Sequence, residues 1–497
     1  MVEMSHRIYM PAQVRELDRI AIEEQGIPGY ELMTRAGQAC FDEIHARFPD
    51  ARRWLILCGS GNNAGDGYVI ARLAYLNGIA VRLIALAEPE TLAGDAAEAW
   101  QDYQGRGGEY VSWDETPDFS GMDLVVDALL GTGLERPLKS TWLKVVEAIN
   151  ESELPVVAVD IATGLNGLSG VVMGDAVQAD LTVTFVGLKQ GLFVGAGPEH
   201  TGELVYADLG ITPVDEEQMP PTLQIFSREA FAGLFPPRKR TAHKGDNGHV
   251  LVMGGNTGMG GAVRLAGEAA LRGGAGLVSV ATRPDNVVAL TASRPELMVS
   301  GIETGNDLDD LLDRSDVIAL GPGLGSDDWA QHIYGRALAT GKPLVMDADA
   351  LNLLAMQPVR RDDWILTPHP GEAARLLRTD TTAIQADRPG AVQALVNKFG
   401  GTVLLKGYGT LIASNELDCP WLIQAGNPGM ATAGMGDVLT GLTAALLAQS
   451  EGSVAYADIA AAAAWAHATA GDLAAEQGER GLIATDLLLE IRPCLNP

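Results

Sequence analysis

The chain has 497 residues, of which 47% are hydrophobic and 20% are charged, and its formal net charge is −29. This length predicts about two to four folded domains, and the composition is typical of globular chains with large buried cores. The strongly acidic balance argues against electrostatic binding to nucleic acids or to anionic membrane surfaces.

The four cysteines are scattered along the chain without a CxxC motif, which predicts reduced thiols and neither a disulfide framework nor a zinc site. No apolar run reaches the length needed to cross a bilayer, and the amino terminus lacks the apolar centre of a signal peptide. These features together predict a cytoplasmic protein without a membrane segment.

The first half alternates between short apolar runs and amphipathic segments. Helices are predicted within residues 11–26, 31–48, 68–75, 93–106 and 141–149, and strands over residues 54–58, 81–87, 123–128, 155–160 and 181–186. This alternation predicts a parallel α/β sheet, in which ligands bind beyond the carboxyl ends of the strands.

A glycine-rich loop, residues 59–67, is predicted between the first of these strands and the helix that follows. Strand, glycine loop and helix in this order are typical of phosphate-binding sites in doubly wound folds. The alternative is a structural turn, because asparagine tolerates a left-handed backbone and Asn62 and Asn63 both lie in the loop.

Four polar residues, Asn63, Asp127, Asp160 and Thr163, are predicted to lie at one rim of this sheet, because each follows or ends a strand. Oxygen ligands suit a hard cation better than zinc. Taken singly, each aspartate is equally typical of a helix cap or a turn.

The first half, over about residues 8–212, resembles the NAD(P)H-hydrate epimerase family. The resemblance rests on the Asn-Asn-x-Gly-Asp-Gly motif at residues 62–67, the run from Asp127 to the Gly-Thr-Gly-Leu segment at 131–134, and Val-Asp-Ile-x-Thr-Gly at 159–164. One departure is Ala64, where many members are expected to have glycine.

This resemblance implies a Rossmann-like, three-layer α/β/α domain over residues 1–221 that interconverts the two epimers of C6-hydrated NADH or NADPH. It implies a potassium ion held by Asn63, Asp127 and Thr163. For the reaction we hypothesise that Asp160 stabilises the cationic ring and shuttles the proton. The residues that the resemblance assigns to the hydrated dinucleotide are Asn62, Asn63, Ala64, Gly65, Asp66, Gly131, Thr132, Gly133, Leu134, Glu135, Arg136, Pro137 and Asp160.

An acidic, proline-bearing stretch at residues 215–221 is typical of a linker, so a domain boundary is predicted near residue 222. The basic triplet at residues 238–240 is short and lies in a very acidic chain. A solvated segment, or one near a phosphate site, is therefore a better interpretation than a nucleic-acid patch.

In the second half, strands are predicted over residues 249–253, 276–281, 316–320, 343–347, 363–366 and 402–405. Each strand runs into a small or polar loop, which again predicts a functional rim at the carboxyl edge of a sheet. The first of these loops, residues 254–262, is rich in glycine but lacks the Gly-Lys-Ser/Thr of a Walker A motif.

Two polar segments in this half have alternative interpretations. His369 lies between two prolines and is either a structural residue of a stiff turn or a ligand contact. Residues 406–410 offer amides and a hydroxyl to a nucleotide, but they are also typical of a hairpin turn between strands at 402–405 and 411–414.

The stretch from Asn427 to Gly441 contains glycines that allow close backbone approach, and apolar residues at helical spacing follow them. Such a turn points free backbone N–H groups and the positive end of the helix dipole at a ligand. Asp437 stands at this point and could act as a general base for a hydroxyl that attacks a phosphoryl group. The alternative is an ordinary loop in which Asp437 is the helix N-cap.

The second half, over about residues 228–490, resembles the ADP-dependent NAD(P)H-hydrate dehydratase family, whose fold is ribokinase-like. The shared motifs are His-Lys-Gly-Asp at 243–246, Gly-Pro-Gly-Leu-Gly at 321–325, Asp-Ala-Asp-Ala-Leu at 347–351, Thr-Pro-His-Pro-Gly-Glu at 367–372 and Gly-Met-Gly-Asp at 434–437.

This second resemblance implies a three-layer α/β/α domain over residues 222–497 in which Ala262, Gly323, His369 and Asp437 contact the hydrated dinucleotide. It further implies a homo-oligomer and Mg²⁺ bound with ADP. The residues that it assigns to the adenosine nucleotide are Lys406, Gly407, Tyr408, Gly409, Thr410 and Gly436.

Together the two resemblances predict a bifunctional isomerase and lyase that epimerises hydrated NAD(P)H and dehydrates its S form at the expense of ADP, giving AMP and phosphate. One alternative is a ribokinase-like small-molecule kinase fused to a dinucleotide-binding domain, which would accumulate a stable phosphorylated product. A second is a dinucleotide-sensing scaffold with inert sites. The sequence leaves open the preference between ADP and ATP and between the two dinucleotides.

Overall fold

The computed structural model describes residues 6–113, 118–304, 308–450, 452 and 454–496. The chain forms two compact units, residues 1–223 and 224–497. Each unit has its own buried core around its own mainly parallel sheet.

The first unit contains a seven-stranded parallel sheet in the order β4-β3-β2-β5-β6-β7-β9, and β1 pairs with β8 beside it. Its strands are β1 (Arg7–Tyr9), β2 (Arg53–Cys58), β3 (Ala80–Ala85), β4 (Val111–Ser112), β5 (Leu124–Ala128), β6 (Val156–Val159), β7 (Leu181–Phe185), β8 (Leu188–Lys189) and β9 (Glu203–Ala207). Its helices are α1 (Pro11–Glu23), α2 (Gly29–Arg47), α3 (Asn62–Leu76), α4 (Gly94–Gly105), α5 (Thr141–Asn150) and α6 (Gly197–Thr201).

The central strands of this sheet are buried on both faces, as their continuous apolar sequences require. On one face Ile56 and Val126 pack with helices α2, α3 and α4. On the other face Leu57 and Val125 pack with α5, through Val145. The predicted three-layer α/β/α arrangement of the first half is therefore confirmed.

The glycine loop is shorter than the sequence predicts, because α3 begins at Asn62 and not at residue 68. Glycine and asparagine disfavour helices in isolation, but tertiary packing overrides this preference here. A Cβ atom on Gly67 would lie 2.6 Å from the Cβ of Ala128, so only glycine lets this turn of α3 lie directly on β5. Residues 62–67 therefore form the first turns of a helix that points at the sheet edge.

Within the described residues, the second unit contains ten strands in the order β13-β12-β11-β14-β15-β16-β17-β18-β19-β10, with β18 antiparallel to both neighbours. Its strands are β10 (Leu223–Ile225), which pairs with β19, β11 (His249–Met253), β12 (Leu277–Thr282), β13 (Met298–Gly301), β14 (Val317–Leu320), β15 (Leu344–Met346), β16 (Trp364–Leu366), β17 (Thr402–Leu405), β18 (Thr410–Ser414) and β19 (Trp421–Ile423). Its helices are α7 (Arg228–Leu234), α8 (Gly260–Arg272), α9 (Val287–Ser293), α10 (Asp309–Arg314), α11 (Asp328–Leu338), α12 (Ala348–Met356), α13 (Pro370–Leu377), α14 (Thr381–Ala386), α15 (Arg388–Phe399), α16 (Met435–Gln449), α17 (Tyr456–Ala474) and α18 (Ala484–Cys494).

Helix α16 is the centre of the second unit. It is apolar on nearly all sides, which is typical of a fully buried helix, and it packs against α8, α17 and the strands β11, β14 and β15. Alternate residues of β11, Val250 and Val252, belong to this core, whereas α11 and α15 pack against strands of the same sheet outside it. This unit is also a three-layer α/β/α structure, as predicted.

The predicted strands agree with the observed ones to within about two residues, and the hairpin between β17 and β18 is confirmed. The sequence does not predict the edge strands β4, β9 and β13, whose residues are mostly half-buried or exposed and so lack a continuous apolar run. It also does not predict β1, β8, β10 and β19, each of which has only two or three residues. Among the described residues, no helix combines the length and the apolar character that crossing a bilayer requires.

Candidate active sites

A cavity of about 580 Å³ opens at the carboxyl edge of the first sheet. It lies where the strand order reverses, because β3 and β4 extend to one side of β2 while β5 lies on the other. Such switch points are where doubly wound sheets bind ligands, since the loops after the two strands diverge there.

Most of the predicted dinucleotide-binding residues of the first unit line this cavity. They are Asn62, Asn63, Asp66, Gly131, Thr132, Gly133, Leu134, Glu135, Arg136 and Asp160. Ala64 and Gly65 are instead buried within α3, and Pro137 is exposed outside the lining.

Asp160 is held in an unusual backbone conformation with φ of 70°, in the left-handed region that residues other than glycine rarely adopt. Its Oδ1 accepts hydrogen bonds from the Thr184 hydroxyl at 3.1 Å and from the Phe185 N–H at 3.3 Å. The ammonium of the buried Lys189 donates to the same oxygen and to the Phe185 carbonyl at 2.7 Å. The carboxylate is therefore fixed at the cavity wall beside a desolvated cation.

Two further carboxylates line the cavity near Asp160. Burial, together with the charges of Asp160 and Asp18, raises the pKa of Asp66 well above its usual range. Burial also raises the pKa of Asp18 to about 6, and the Asp160 charge adds to this although Lys189 opposes it. The cavity thus places two carboxyl groups of raised pKa close to a third carboxyl group, an arrangement suited to acid–base chemistry.

The three residues predicted to bind potassium meet around the backbone of residues 130–131. The Thr163 hydroxyl donates to Asp127 Oδ1 at 2.7 Å and accepts from the Leu130 N–H at 3.0 Å. Asn63 lies next to Gly131, and within the described part of the chain its buried Nδ2 has no hydrogen-bond partner. Burial raises the pKa of Asp127 to about 6, although hydrogen bonds from Thr163 and Leu129 oppose the increase.

In the second unit, Asp437 lies in the first turn of α16, and Gly434 is the N-cap. The alternative interpretation of Asp437 as an N-cap is therefore wrong. The first hydrogen bond within the helix runs from the Val438 N–H to the Gly434 carbonyl, which leaves the N–H groups before it available to an anion. Burial raises the pKa of Asp437 to about 6, and the charges of Asp347 and Asp349 add to this while Lys406 opposes it.

An ion pair between the buried Asp347 and the half-buried Lys406 lies directly beside this helix terminus. Lys406 Nζ donates to Asp347 Oδ1 at 2.6 Å, and the Thr440 hydroxyl donates to Asp347 Oδ2 at 2.9 Å. A Cβ atom on Gly436 would lie 3.3 Å from Lys406 Nζ, so glycine lets the ammonium reach the first turn of α16. Burial opposes both charges, but their mutual attraction holds the pKa of Asp347 below and that of Lys406 above their ordinary values.

His369 is the N-cap of α13, and its Nδ1 accepts a hydrogen bond from the Gly371 N–H at 3.0 Å. Glu372 completes a capping box through the His369 N–H at 2.8 Å and lies 3.8 Å from Lys406 Nζ. The imidazole therefore has a structural function. Its Nε2 lies 3.5 Å from Oε1 of Glu372, the same carboxylate that approaches Lys406.

The remaining predicted residues lie around the same edge. A Cβ atom on Gly323 would be 3.2 Å from the Cβ of Ala262, so these two residues are adjacent at the switch point between β11 and β14. The loop from Lys406 to Thr410 ends β17, with Tyr408 exposed at its tip and Gly407 at a φ of 133°.

Comparison with known proteins gives matches to both halves of the chain. The profile of the NAD(P)H-hydrate dehydratase family matches residues 250–493, and the profile described as the YjeF-related protein N-terminus matches residues 29–191. The bifunctional NAD(P)H-hydrate repair enzyme Nnr of Coxiella burnetii is 45% identical over 99% of both chains. The enzyme of the same name from Escherichia coli is 43% identical over 100% of this chain and 95% of its own.

The chain belongs to the family of bifunctional NAD(P)H-hydrate repair enzymes.

Solved structures support the same assignment for the second half. A ribokinase-like superfamily protein of Enterococcus faecalis superposes with a TM-score of 0.52 at 31% identity, over 55% of this chain and 96% of that one. The ADP/ATP-dependent NAD(P)H-hydrate dehydratase of Bacillus subtilis, co-crystallised with ATP and Mg²⁺, gives a TM-score of 0.50 at 26% identity over 55% and 97%. The predicted family and the predicted ribokinase-like fold are therefore confirmed.

In this member of the NAD(P)H-hydrate repair family, several site residues were not predicted from the sequence as functional. They are Asp18, Lys189, Asp347, Glu372 and Thr440. Asp347 and Glu372 fall inside the shared motifs. For Lys189 the available signal was a charged residue within largely apolar sequence, because such residues are rarely buried without a partner. Asp18 gave no such signal, because it lies among the charged residues of an amphipathic helix.

Proposed function

We propose that the chain repairs hydrated NADH and NADPH by two reactions at two sites. The first unit interconverts the R and S epimers of the hydrate, and the second unit converts the S epimer to NAD(P)H while ADP becomes AMP and phosphate. The family assignment and the separate sites at the two sheet edges support this proposal.

The observation that supports the second reaction most strongly is the neighbourhood of Asp437. A carboxylate of raised pKa lies with a half-buried ammonium, that of Lys406, at the amino terminus of a buried helix. The carboxylate can act as a general base, and the ammonium and the helix terminus can stabilise a phosphoryl group during its transfer.

For the dehydration we propose that Asp437 accepts the proton of the C6 hydroxyl. At the same time the hydroxyl oxygen attacks the terminal phosphoryl group of ADP. The bond to the AMP oxygen breaks, and Lys406 and the N–H groups of α16 stabilise the charge on the transferred group. The ring nitrogen then expels phosphate from C6 with the electron pair of the C–O bond. Loss of a proton from C5 restores the double bond of NAD(P)H. The net reaction removes the elements of water from the hydrate and uses them to split ADP into AMP and phosphate.

For the second unit we propose the ligand contacts that the resemblance to the dehydratase family implies. Lys406 and Gly436 are adjacent, and together with the loop at residues 407–410 they form the proposed nucleotide site. Ala262, Gly323, His369 and Asp437 form the proposed site of the hydrated ring. When Mg²⁺ accompanies ADP, it supplies positive charge to the nucleotide phosphates.

For the epimerisation we propose that the ring nitrogen expels the C6 hydroxyl as water, leaving an iminium ion. A protonated carboxyl group must supply the proton, and the raised pKa values of Asp66 and Asp18 suit them to this task. The carboxylate of Asp160, fixed by Lys189, stabilises the iminium charge and accepts the proton when water returns to the other face of the ring. Transfer of this proton back to the carboxylate that donated the first one, at the same cavity, restores the starting state.

We propose a potassium ion held by Asn63, Asp127 and Thr163. These residues fit such an ion because they offer amide, carboxylate and hydroxyl oxygens and the group carries one negative charge. When bound, the ion supplies fixed positive charge at the wall of the cavity.

Potassium is expected to increase the epimerisation rate, because its charge offsets the cost of keeping Asp127 ionised in a buried position. Epimer exchange is measured by chromatography in KCl and in choline chloride at equal ionic strength, and the unfolding temperature is followed in parallel. Asn63→Ala should abolish the difference between the two salts. Equal rates and unfolding temperatures in both salts would contradict a potassium site.

The overall proposal is tested with purified epimers of hydrated NADH and a choice of ADP, ATP or no nucleotide. Recovery of the near-ultraviolet absorbance of the dihydronicotinamide measures dehydration, and AMP and inorganic phosphate are quantified in the same samples. The expected result is one AMP and one phosphate for each NADH formed with ADP. A stable phosphorylated product without recovery of NADH would instead identify a small-molecule kinase.

The kcat/KM of dehydration is expected to fall below about pH 6, tenfold for each pH unit, because Asp437 must be ionised to accept a proton and its pKa is raised to about 6. The initial rate is measured from pH 4.5 to 8 at low substrate concentration. Asp349→Asn removes one of the negative charges that raise this pKa, so its acid limb should lie at lower pH. An acid limb near pH 4 in the wild-type chain would contradict the assignment.

Self-association and a cytoplasmic location remain parts of this proposal. The scattered free thiols support a reducing compartment. Sedimentation velocity of the purified chain and fractionation of cells that express it would test the two expectations separately.

A further inference from the structure

Arg388, the first residue of α15, is a buried cation that the proposed mechanism does not use. Its side chain is 3% exposed, and the described residues give its charge no carboxylate partner. Burial lowers the pKa of Arg388 to about 10, so the guanidinium remains charged at neutral pH. An unpaired buried charge is costly, and its retention needs an explanation.

The guanidinium is directed at the backbone of the proposed nucleotide loop. Its Nη2 lies within hydrogen-bond distance of three carbonyl oxygens, those of Leu405 at 3.2 Å, Lys406 at 3.3 Å and Gly409 at 3.2 Å. The first two carbonyls lie where β17 ends and the third lies just before β18 begins. One nitrogen therefore joins the two ends of the loop.

The loop combines one internal hydrogen bond with this support. Gly407 has a φ of 133° and Gly409 a φ of 62°, and the Thr410 hydroxyl donates to the Gly407 carbonyl at 2.8 Å. A Cβ atom on Gly407 would lie 3.0 Å from Arg388 Nη1, so the loop backbone rests directly on the guanidinium. Arg388 Nε has no hydrogen-bond partner within the described residues, so the group is positioned by its contacts to the loop and to Gln385 alone.

We propose that Arg388 is a positioning residue for ADP, which holds the segment from Leu405 to Gly409 in the shape that receives the nucleotide and places positive charge beneath it. This inference rests on the proposed function, because it concerns the nucleotide site of the dehydration reaction. Lys406 belongs to the same segment, so the position of its ammonium beside α16 also depends on the loop.

The test is Arg388→Ala in the full chain, with KM and kcat measured separately for ADP and for hydrated NADH. The KM for ADP is expected to rise about tenfold or more, because small displacements of a positioned group have large effects on the reaction. The KM for hydrated NADH and the epimerisation rate should stay within about twofold of wild type. Arg388→Lys keeps the charge but not the planar guanidinium, so its KM for ADP should lie between that of the wild-type chain and that of Arg388→Ala.

Arg361→Ala is the matched control. Arg361 also bonds two backbone carbonyls, those of Leu338 at 3.1 Å and Lys342 at 3.0 Å, but it lies beside the beginnings of β15 and β16, at the opposite edge of the sheet. Both alanine variants should lower the unfolding temperature, and only Arg388→Ala should raise the KM for ADP. Equal KM values for ADP in the two variants would reduce Arg388 to a structural residue and overturn the proposal.

If Arg388→Ala does not fold, Arg388→Gln decides the same question, because it removes the charge and the reach while keeping a polar side chain. A wild-type KM for ADP in that variant would likewise overturn the proposal. Failure of the proposed function gives a different result, since the wild-type chain would then restore NADH without ADP or not at all.

Discussion

Asp437→Asn is expected to lower kcat for ADP-dependent dehydration by about a thousandfold, within the range that a general base contributes. The amide cannot accept the proton of the C6 hydroxyl, while the helix terminus and Lys406 keep their positions. The rate is measured as NADH formed from purified S epimer with saturating ADP. Epimerisation by the same preparation should be unchanged, because that site lies in the other unit.

The control for this variant is Asp458→Asn. Asp458 occupies the same position in the first turn of α17 as Asp437 does in α16, and its carboxylate accepts a hydrogen bond from the Trp421 indole at 2.9 Å. Its replacement costs stability but should leave dehydration intact. A similar loss of activity in both variants would mean that the effect is structural, and loss of epimerisation in Asp437→Asn would mean that the two sites are not independent.

Asp160→Asn is expected to slow epimerisation by about a hundredfold or more while the dehydration of S epimer continues. The neutral amide neither stabilises the iminium charge nor accepts the proton of the returning water. It also leaves the buried Lys189 without its counterion. Exchange is followed by chromatography of each epimer without ADP, and dehydration of the same sample supplies the internal reference.

Asp180→Asn is the control for Asp160→Asn. Asp180 lies just before β7, at the amino edge of the sheet, and accepts a hydrogen bond from the Val156 N–H at 2.8 Å. Epimerisation at the wild-type rate is expected in this variant. If Asp160→Asn exchanges the epimers equally fast, another group in the cavity is the base, and Asp66 and Asp18 are the next to test.

The sequence was sufficient to predict the glycine and aspartate positions at both sheet edges, because they follow apolar strands directly and parallel strands end at one edge. It was also sufficient for Asp437, since a glycine turn and a helical pattern surround it. These features are local, and each can be inferred from a window of fewer than about twenty residues.

The partners of these residues could not be inferred in the same way. Lys189 contacts Asp160 across 29 residues, and Lys406 contacts Asp347 across 59, so each pair exists only after the sheet has formed. The start of α3 at Asn62 also depends on contacts between segments that are distant in the sequence. The glycines that predict a loop are tolerated within the helix, because they allow it to pack on β5.

The ion pair between Lys406 and Asp347 has an implication for turnover. Because the ammonium already has a buried counterion, inorganic phosphate that remains after the reaction meets a cation that is largely neutralised. In the proposed reaction, phosphate that meets a shared charge is bound less tightly than it would be by a free ammonium. The proposed site would thus stabilise a phosphoryl group during transfer without holding the phosphate product as tightly as an unpaired lysine would.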